Sequence, residues 1–375
     1  MTFRKKVPSL LIYITTILVL IILIIFIDPQ NLVLSLLNLG IWAILGLVLL
    51  YIIDLTVRVY RWKLLLQVQG VNLPVQTLIM PVVSALAINL FTIARAGEAV
   101  RVFALKRNYE VRYSDTISSI VIEQVLSIIG LLFVITGSLF FVGGSLQIVE
   151  NSILIQQLIF LLFLVSVVCL LGLWFAIINP EFIEKILTFF PLFIEKRLVS
   201  VYRSFQEGIK DLKSSPSILS LGIITSASIW IIEGVMLYVI ATSLFSSYSI
   251  IDLPWLIAAS CAGNITFIIP ILPGAMGQYE IIIGIILFSA QGYPGEGSLL
   301  IALIDRVTKS VILGIIGGYA TLSLGGTEIL RLREDFFTVS KVKNSNKNVD
   351  KKYEQSVLKL DTSNSIKEEN NQKEV

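Results

Sequence analysis

Arg95, Glu98 and Arg101 lie three residues apart in the stretch FTIARAGEAVRVFALKRN, directly after one of the most apolar parts of the chain. On a helix this spacing sets an Arg–Glu–Arg cluster on one face. Two guanidinium groups on a polar face make an anion site, because each offers paired donors to phosphate oxygens. Gly97 removes a side chain where a second backbone or a ligand could come close. The same residues also fit a purely structural ion pair that staples the segment, with Arg101 at a membrane interface.

Further charges sit in equally apolar surroundings. In IIPILPGAMGQYEIIIG, Pro270, Pro273, Gly274 and Gly277 interrupt a helix and leave backbone N–H groups free. At membrane depth those groups and the helix N-terminus that follows could cradle an anion; the plain alternative is a loop on the outer surface. Glu280 comes just after, so each segment places a glycine ahead of a glutamate: Gly97 before Glu98, Gly277 before Glu280. In IALIDRVTKSVILG, Asp305 and Lys309 are four apart and can compensate each other, which leaves Arg306 in need of an acceptor. Glu123, in SIVIEQVLSIIG, and Glu233, in IWIIEGVMLY, are isolated carboxylates. Each can pair with an interior arginine, bind a cation or stay protonated. An ionisable group inside a membrane is costly enough to require a partner or a function.

The elements that must position these residues are membrane helices. Of the 375 residues 55% are hydrophobic and 15% charged, where a soluble domain carries about a quarter charged residues. Runs of membrane-spanning length recur to about residue 325, so the fold class is an all-α polytopic membrane protein. The absence of histidine excludes a His-based triad, a zinc site and a histidine proton relay, and there is no G-x-x-x-x-G-K-[ST] phosphate loop. Cys169 and Cys261 both lie in apolar runs, away from any ligand pattern. No cofactor and no metal is expected.

Lys and Arg mark cytoplasmic connections. The segments 28–38, 143–152, 246–254 and 291–298 hold neither, while the other connections are basic. Both flanks of Val75–Val102 are basic, and both flanks of Trp255–Phe288 lack basic residues. The charge rule therefore makes these two segments re-entrant hairpins of opposite orientation, broken at Pro81 and at Pro270 with Pro273. About six full spans remain, beginning with a retained first span at Val7–Ile27, and both termini are cytoplasmic. Residues 39–142 and 218–324 then form inverted repeats of the kind found in secondary transporters. The competing reading treats both hairpins as ordinary spans. DLTVRVYRWKLLLQ reads as interfacial, with Tyr60 and Trp62 as headgroup-level anchors, and residues 180–215 as a surface amphipathic helix or a helix packed on other loops. The expected domains are a membrane domain at 1–327 and a disordered cytoplasmic tail at 328–375. No sizeable soluble domain is expected at either end.

Taken in order, R-x-x-R-W (Arg58, Arg61, Trp62), RAGE-x-x-R (Arg95 to Arg101), the in-span Glu123, PGAMGQYE (Pro273 to Glu280) and Arg306 resemble the flippase-like family. This is the transmembrane domain of lysylphosphatidylglycerol synthases together with its stand-alone relatives. The resemblance covers about residues 5–325. It implies a lipid-translocating fold with two re-entrant elements and substrates such as aminoacyl-phospholipids or polyprenyl-phosphate sugars. Departures occur where the family pattern often has Arg and Asp but this chain has Gln124 and Ser127, and at Ala275 and Met276. They bear on headgroup preference more than on fold. The aminoacyltransferase domain of the full synthases is absent from this sequence.

Together these readings lead us to expect a lipid flippase of the cell membrane that is not itself an enzyme. Substrate binding falls to Arg95, Gly97, Glu98, Arg101, Glu123, Glu233, Gly274, Gly277, Glu280 and Arg306. The expected partners are a membrane lipid substrate, the bilayer and a separate lipid-modifying synthase or glycosyltransferase; nucleic acid is not among them. The alternatives are a secondary transporter of a soluble solute, a membrane lipid-modifying enzyme, or an accessory subunit of such an enzyme.

Overall fold

A computed structural model describes residues 29–92, 95–144, 215–245, 252–267, 272–291 and 295–324, together with 164, 167 and 168. The proposed first span at Val7–Ile27, nearly all of the apolar run at 153–178, the amphipathic segment at 180–215, Pro270 and the tail at 328–375 lie outside the described residues. One compact unit reaches Thr321, and of the second only 322–324 are described.

The secondary structure of the described residues is helical, with no strand among them: α1 (Pro29–Asn38), α2 (Ile41–Val68), α3 (Val75–Phe91), α4 (Glu98–Tyr109), α5 (Tyr113–Gly144), α6 (Pro216–Leu244), α7 (Leu253–Ile265), a 3-10 turn at Pro273–Ala275, α8 (Gln278–Gln291) and α9 (Gly295–Ser323). The chain is an all-α polytopic membrane protein. Among the described residues α2, α5 and α6 are long and apolar enough to cross a bilayer. At 29 residues α9 matches them in length, but it carries Asp305, Arg306 and Lys309 near its middle. Large apolar side chains point outward from α2, with Trp42 83% and Ile41 63% exposed. In water such a face would be a liability; on a spanning helix it is the lipid contact.

α6 packs against α2, α5 and α7. Small residues allow the close approaches, as expected where lipid supplies no hydrophobic force between helices. A side chain at Gly130 of α5 would meet the Ser226 Cβ of α6 at 2.7 Å, and one at Gly234 of α6 would meet the Ile257 Cα of α7 at 2.6 Å.

α3 and α4 form a helix–break–helix hairpin. At 17 and 12 residues, their lengths are about 25 and 18 Å, short of a hydrocarbon core of about 30 Å. Leu78 and Val82 from the first turns of α3 share an apolar cluster with Leu105 from the last turns of α4, and with Val59, Trp62 and Leu66 of α2. The two limbs are therefore antiparallel, with their outer ends together and the tip at residues 92–97. Pro81, expected as the break, lies inside an uninterrupted α3; the chain breaks instead at Thr92, where the backbone turns extended. The second limb also runs past the expected Val102 to Tyr109. With both outer ends on one side, cysteines at the exposed positions 72 and 108, on a background lacking Cys169 and Cys261, should react with an impermeant maleimide from the same side of the membrane. Reaction from opposite sides would rule out the hairpin.

α7 and α8 make the second hairpin. Gly263, near the end of α7, faces Ile283 and Tyr279 near the start of α8, so these limbs are antiparallel too. α8 has 14 residues, four more than the apolar run at Tyr279–Phe288. DLTVRVYRWKLLLQ is the second half of α2; Tyr60 is exposed, but Trp62, expected as a headgroup-level anchor, is buried within the protein together with Arg61.

A charged cavity where the hairpin tips meet

The two tips touch through backbone. The Gly274 N–H donates to the Thr92 carbonyl at 3.4 Å, and a side chain at Gly274 would run into the Leu90 carbonyl. Gly274, Ala275 and Gly277 all have left-handed φ, 57°, 54° and 81°, which is how Pro-Gly-Ala-Met-Gly folds into so short a tip. The first tip is held by Asn89 of α3. Its Oδ1 accepts the Gly97 N–H at 2.8 Å, and its Nδ2 donates to Glu98 Oε1 at 3.3 Å. A side chain at Gly97 would collide with the Ala85 carbonyl of α3. Gly97 is therefore small because the two limbs of its own hairpin pack backbone to backbone there.

Beside this junction is a cavity of about 160 Å³ with a strongly charged border. Six cationic side chains (Arg58, Arg61, Arg95, Arg101, Arg306 and Lys309) and five acidic ones (Asp54, Glu98, Glu123, Glu233 and Asp305) surround it. They fall into ion-pair groups. In the first, Glu123 of α5 is clamped by Arg61 at 2.8 Å and Arg101 at 2.5 Å, and Arg101 also reaches Glu98 at 3.2 Å. Trp62 seats this group: its ring lies 5.0 Å from the Arg101 guanidinium and its Nε1 donates to Ser119 at 3.1 Å. In the second, Arg58 bridges Asp54 at 2.6 Å and Glu233 at 2.9 Å, and Lys309 pairs with Glu233 and, at 2.9 Å, with Asp305. The Tyr279 hydroxyl donates to Asp305 at 2.6 Å. Arg306 donates to the Gly274 carbonyl and lies 3.9 Å from Glu280 and 5.0 Å from the Phe267 ring.

Arg95 belongs to none of these groups. Among the described residues its side chain has no ion pair and no hydrogen bond. The sequence spacing put Arg95 on a helix face with Glu98; in the structure it precedes α4, with a left-handed φ of 54°. Glu98 is turned to Arg101 and Asn89 instead.

Of the residues singled out by sequence, Arg95, Glu98, Arg101, Glu123, Glu233, Gly274 and Arg306 border the cavity. Gly97, Gly277 and Glu280 do not. Gly97 is packed against α3. The buried carboxylate of Glu280 reaches back to the Gly277 N–H at 2.7 Å, the glutamate half of a capping box at the start of α8. Arg101, a candidate for the interface, is 2% exposed. Sequence reading missed Asp54 and Asn89, and treated Arg58 and Arg61 as surface residues. The usable signals were a lone Asn in the apolar run SALAINLF and an Asp-x-x-x-Arg pair in the middle of a long helix.

No curated protein matches the chain. The family model described as the lysylphosphatidylglycerol synthase TM region matches residues 11–317, and with most of its length matched, the chain belongs to that family.

Proposed function

We propose that the protein is a flippase, which moves a phosphate-bearing lipid (an aminoacyl-phospholipid or a polyprenyl-phosphate sugar) between the leaflets of the cell membrane. In this reading it is not itself an enzyme, both termini are cytoplasmic, and any modification of the lipid is done by a separate protein. The single observation carrying the proposal is Arg95, a cation without a partner among the described residues on the wall of a polar cavity. A guanidinium placed in such a setting calls for an anion. Membership of a family tied to phospholipid handling makes a lipid phosphate the natural candidate. The headgroup would occupy the cavity while the tails remain in lipid, and the two-tip junction would let backbone approach the phosphate.

The test is reconstitution into liposomes with a headgroup-labelled phospholipid, bleached from outside by a membrane-impermeant reductant. Protein-dependent bleaching of the inner-leaflet pool is expected, with none in liposomes carrying heat-denatured protein. Intact inner-leaflet label across both lipid classes would overturn the flippase reading.

A further inference from the structure

Resting on that reading, we infer that the cavity selects a lipid phosphate whose remaining headgroup is uncharged and hydroxyl-bearing, a glycerol or a sugar, over one carrying an amine. Two independent observations point this way. The first is the ion-pair pattern. Each of the five carboxylates on the border is already held by at least one cation: Asp54 by Arg58, Glu98 by Arg101, Glu123 by Arg61 and Arg101, Glu233 by Arg58 and Lys309, Asp305 by Lys309. Counting Glu280 behind Arg306, cations and carboxylates balance. The excess carboxylate belongs to the group around Arg58 and Lys309, yet both oxygens of Glu233 are occupied there. In that group the oxygens without a hydrogen bond, Asp54 Oδ1 and Asp305 Oδ1, are buried, and each shares its carboxylate with an oxygen that a cation already holds. An incoming ammonium would meet guanidinium and ammonium groups in front of every carboxylate, and like charges brought together without water are repelled. An incoming phosphate meets Arg95, which among the described residues has no ion pair or hydrogen bond to give up.

The second observation is the uncharged part of the wall. Gln124, Ser127 and Ser310 border the cavity, and among the described residues their side chains make no hydrogen bond. A serine inside a helix ordinarily bonds back to its own backbone, as Ser226 does to the Gly222 carbonyl at 2.6 Å; Ser127 and Ser310 do not. Free amide and hydroxyl groups can both donate and accept, which suits the hydroxyls of a polyol and gives no advantage to an ammonium, a pure donor.

The test uses the purified full chain in a neutral detergent, titrated with phosphatidylglycerol, with lysyl-phosphatidylglycerol and with soluble glycerol phosphate, binding being read by native mass spectrometry. The first two lipids share a phosphate; the ester adds two amines and has one free hydroxyl fewer. Phosphatidylglycerol is expected to bind about tenfold more tightly than its lysyl ester, since both gain the phosphate contact but only the ester brings ammonium groups against the wall's cations. Arg95→Gln should weaken phosphatidylglycerol by about the same factor, with Arg95→Lys recovering part of it. Gln124→Ala should weaken phosphatidylglycerol more than the lysyl ester, which has one headgroup hydroxyl fewer. If the lysyl ester binds as tightly or more tightly while both lipids depend on Arg95, the headgroup inference falls and the lipid-phosphate reading stands. If glycerol phosphate competes as well as either lipid, both fall, since the site then recognises a soluble anion.

Discussion

Arg95→Gln is expected to reduce lipid translocation at least about tenfold, the cost of losing a charge-assisted contact to phosphate, and to leave the melting temperature where it was. The two halves of this expectation come from different features. Activity should fall because Arg95 is the cavity's one cation with no ion pair or hydrogen bond among the described residues. Stability should hold because nothing described depends on it: Glu98 keeps Arg101 and Asn89, and the tip keeps the bond from the Gly97 N–H to Asn89. Glutamine is the informative replacement, since it bears the same left-handed backbone cost as arginine at φ 54°. Glycine would relieve a cost of about 1–2 kcal/mol, so Arg95→Gly should be inactive and no less stable than the wild type. That combination marks a residue kept for function against its local preference. A purely structural Arg95 would show the reverse, a lowered melting temperature in both variants with translocation falling only in proportion to folded protein.

How much of this was legible in the sequence depends on which force placed each residue. Apolar runs must become helices in lipid, since no other arrangement satisfies the backbone. The long helices α5 and α6 and the first half of α2 could accordingly be read directly, and loop charges identified the two segments that became hairpins. The break in the first hairpin could not be read from Pro81. A proline early in a membrane helix costs one hydrogen bond that its neighbours can make good, whereas Thr92 and the left-handed Arg95 break the helix without being strong helix breakers by type. The face presented by α2 was also hidden. Arg58, Arg61, Tyr60 and Trp62 have the composition of an interfacial belt, and only the partners on other helices, Glu123, Glu233 and Ser119, turn three of them inward. Gly97 and Glu280 were singled out correctly as unusual, but Gly97 serves limb packing and Glu280 a helix cap. A glycine's reason is visible only once its neighbour is known.

The site's dependence on paired charges leads to a second large effect. Glu123→Ala is expected to cost about 3–5 kcal/mol of stability, the usual consequence of removing one member of a buried ion pair, read as a lowered midpoint of thermal unfolding in detergent. Glu123 is 3% exposed and holds two guanidinium groups that are themselves buried. They would not suffer equally. Arg101 retains Glu98 at 3.2 Å and the face of Trp62, while Arg61 is left with the Ser226 hydroxyl at 3.0 Å. The stranded charge is therefore Arg61, on α2, the helix against which both α5 and α6 pack. Arg61→Met in the Glu123→Ala background removes that charge while keeping most of the side chain's bulk, and should recover about 1–3 kcal/mol of the loss. Arg101→Met in the same background should recover little, because Glu98 would lose its cation. Equal recovery by the two second-site changes would show that the guanidiniums share Glu123 as interchangeable partners, and an unchanged midpoint in Glu123→Ala alone would show that the clamp does not hold the helices together. A cavity that keeps Arg95 without an ion pair among the described residues needs rigid walls, since a mobile carboxylate would otherwise swing over to pair with it. The two-cation clamps on Glu123 and Glu233 supply that rigidity by tying up both oxygens of each.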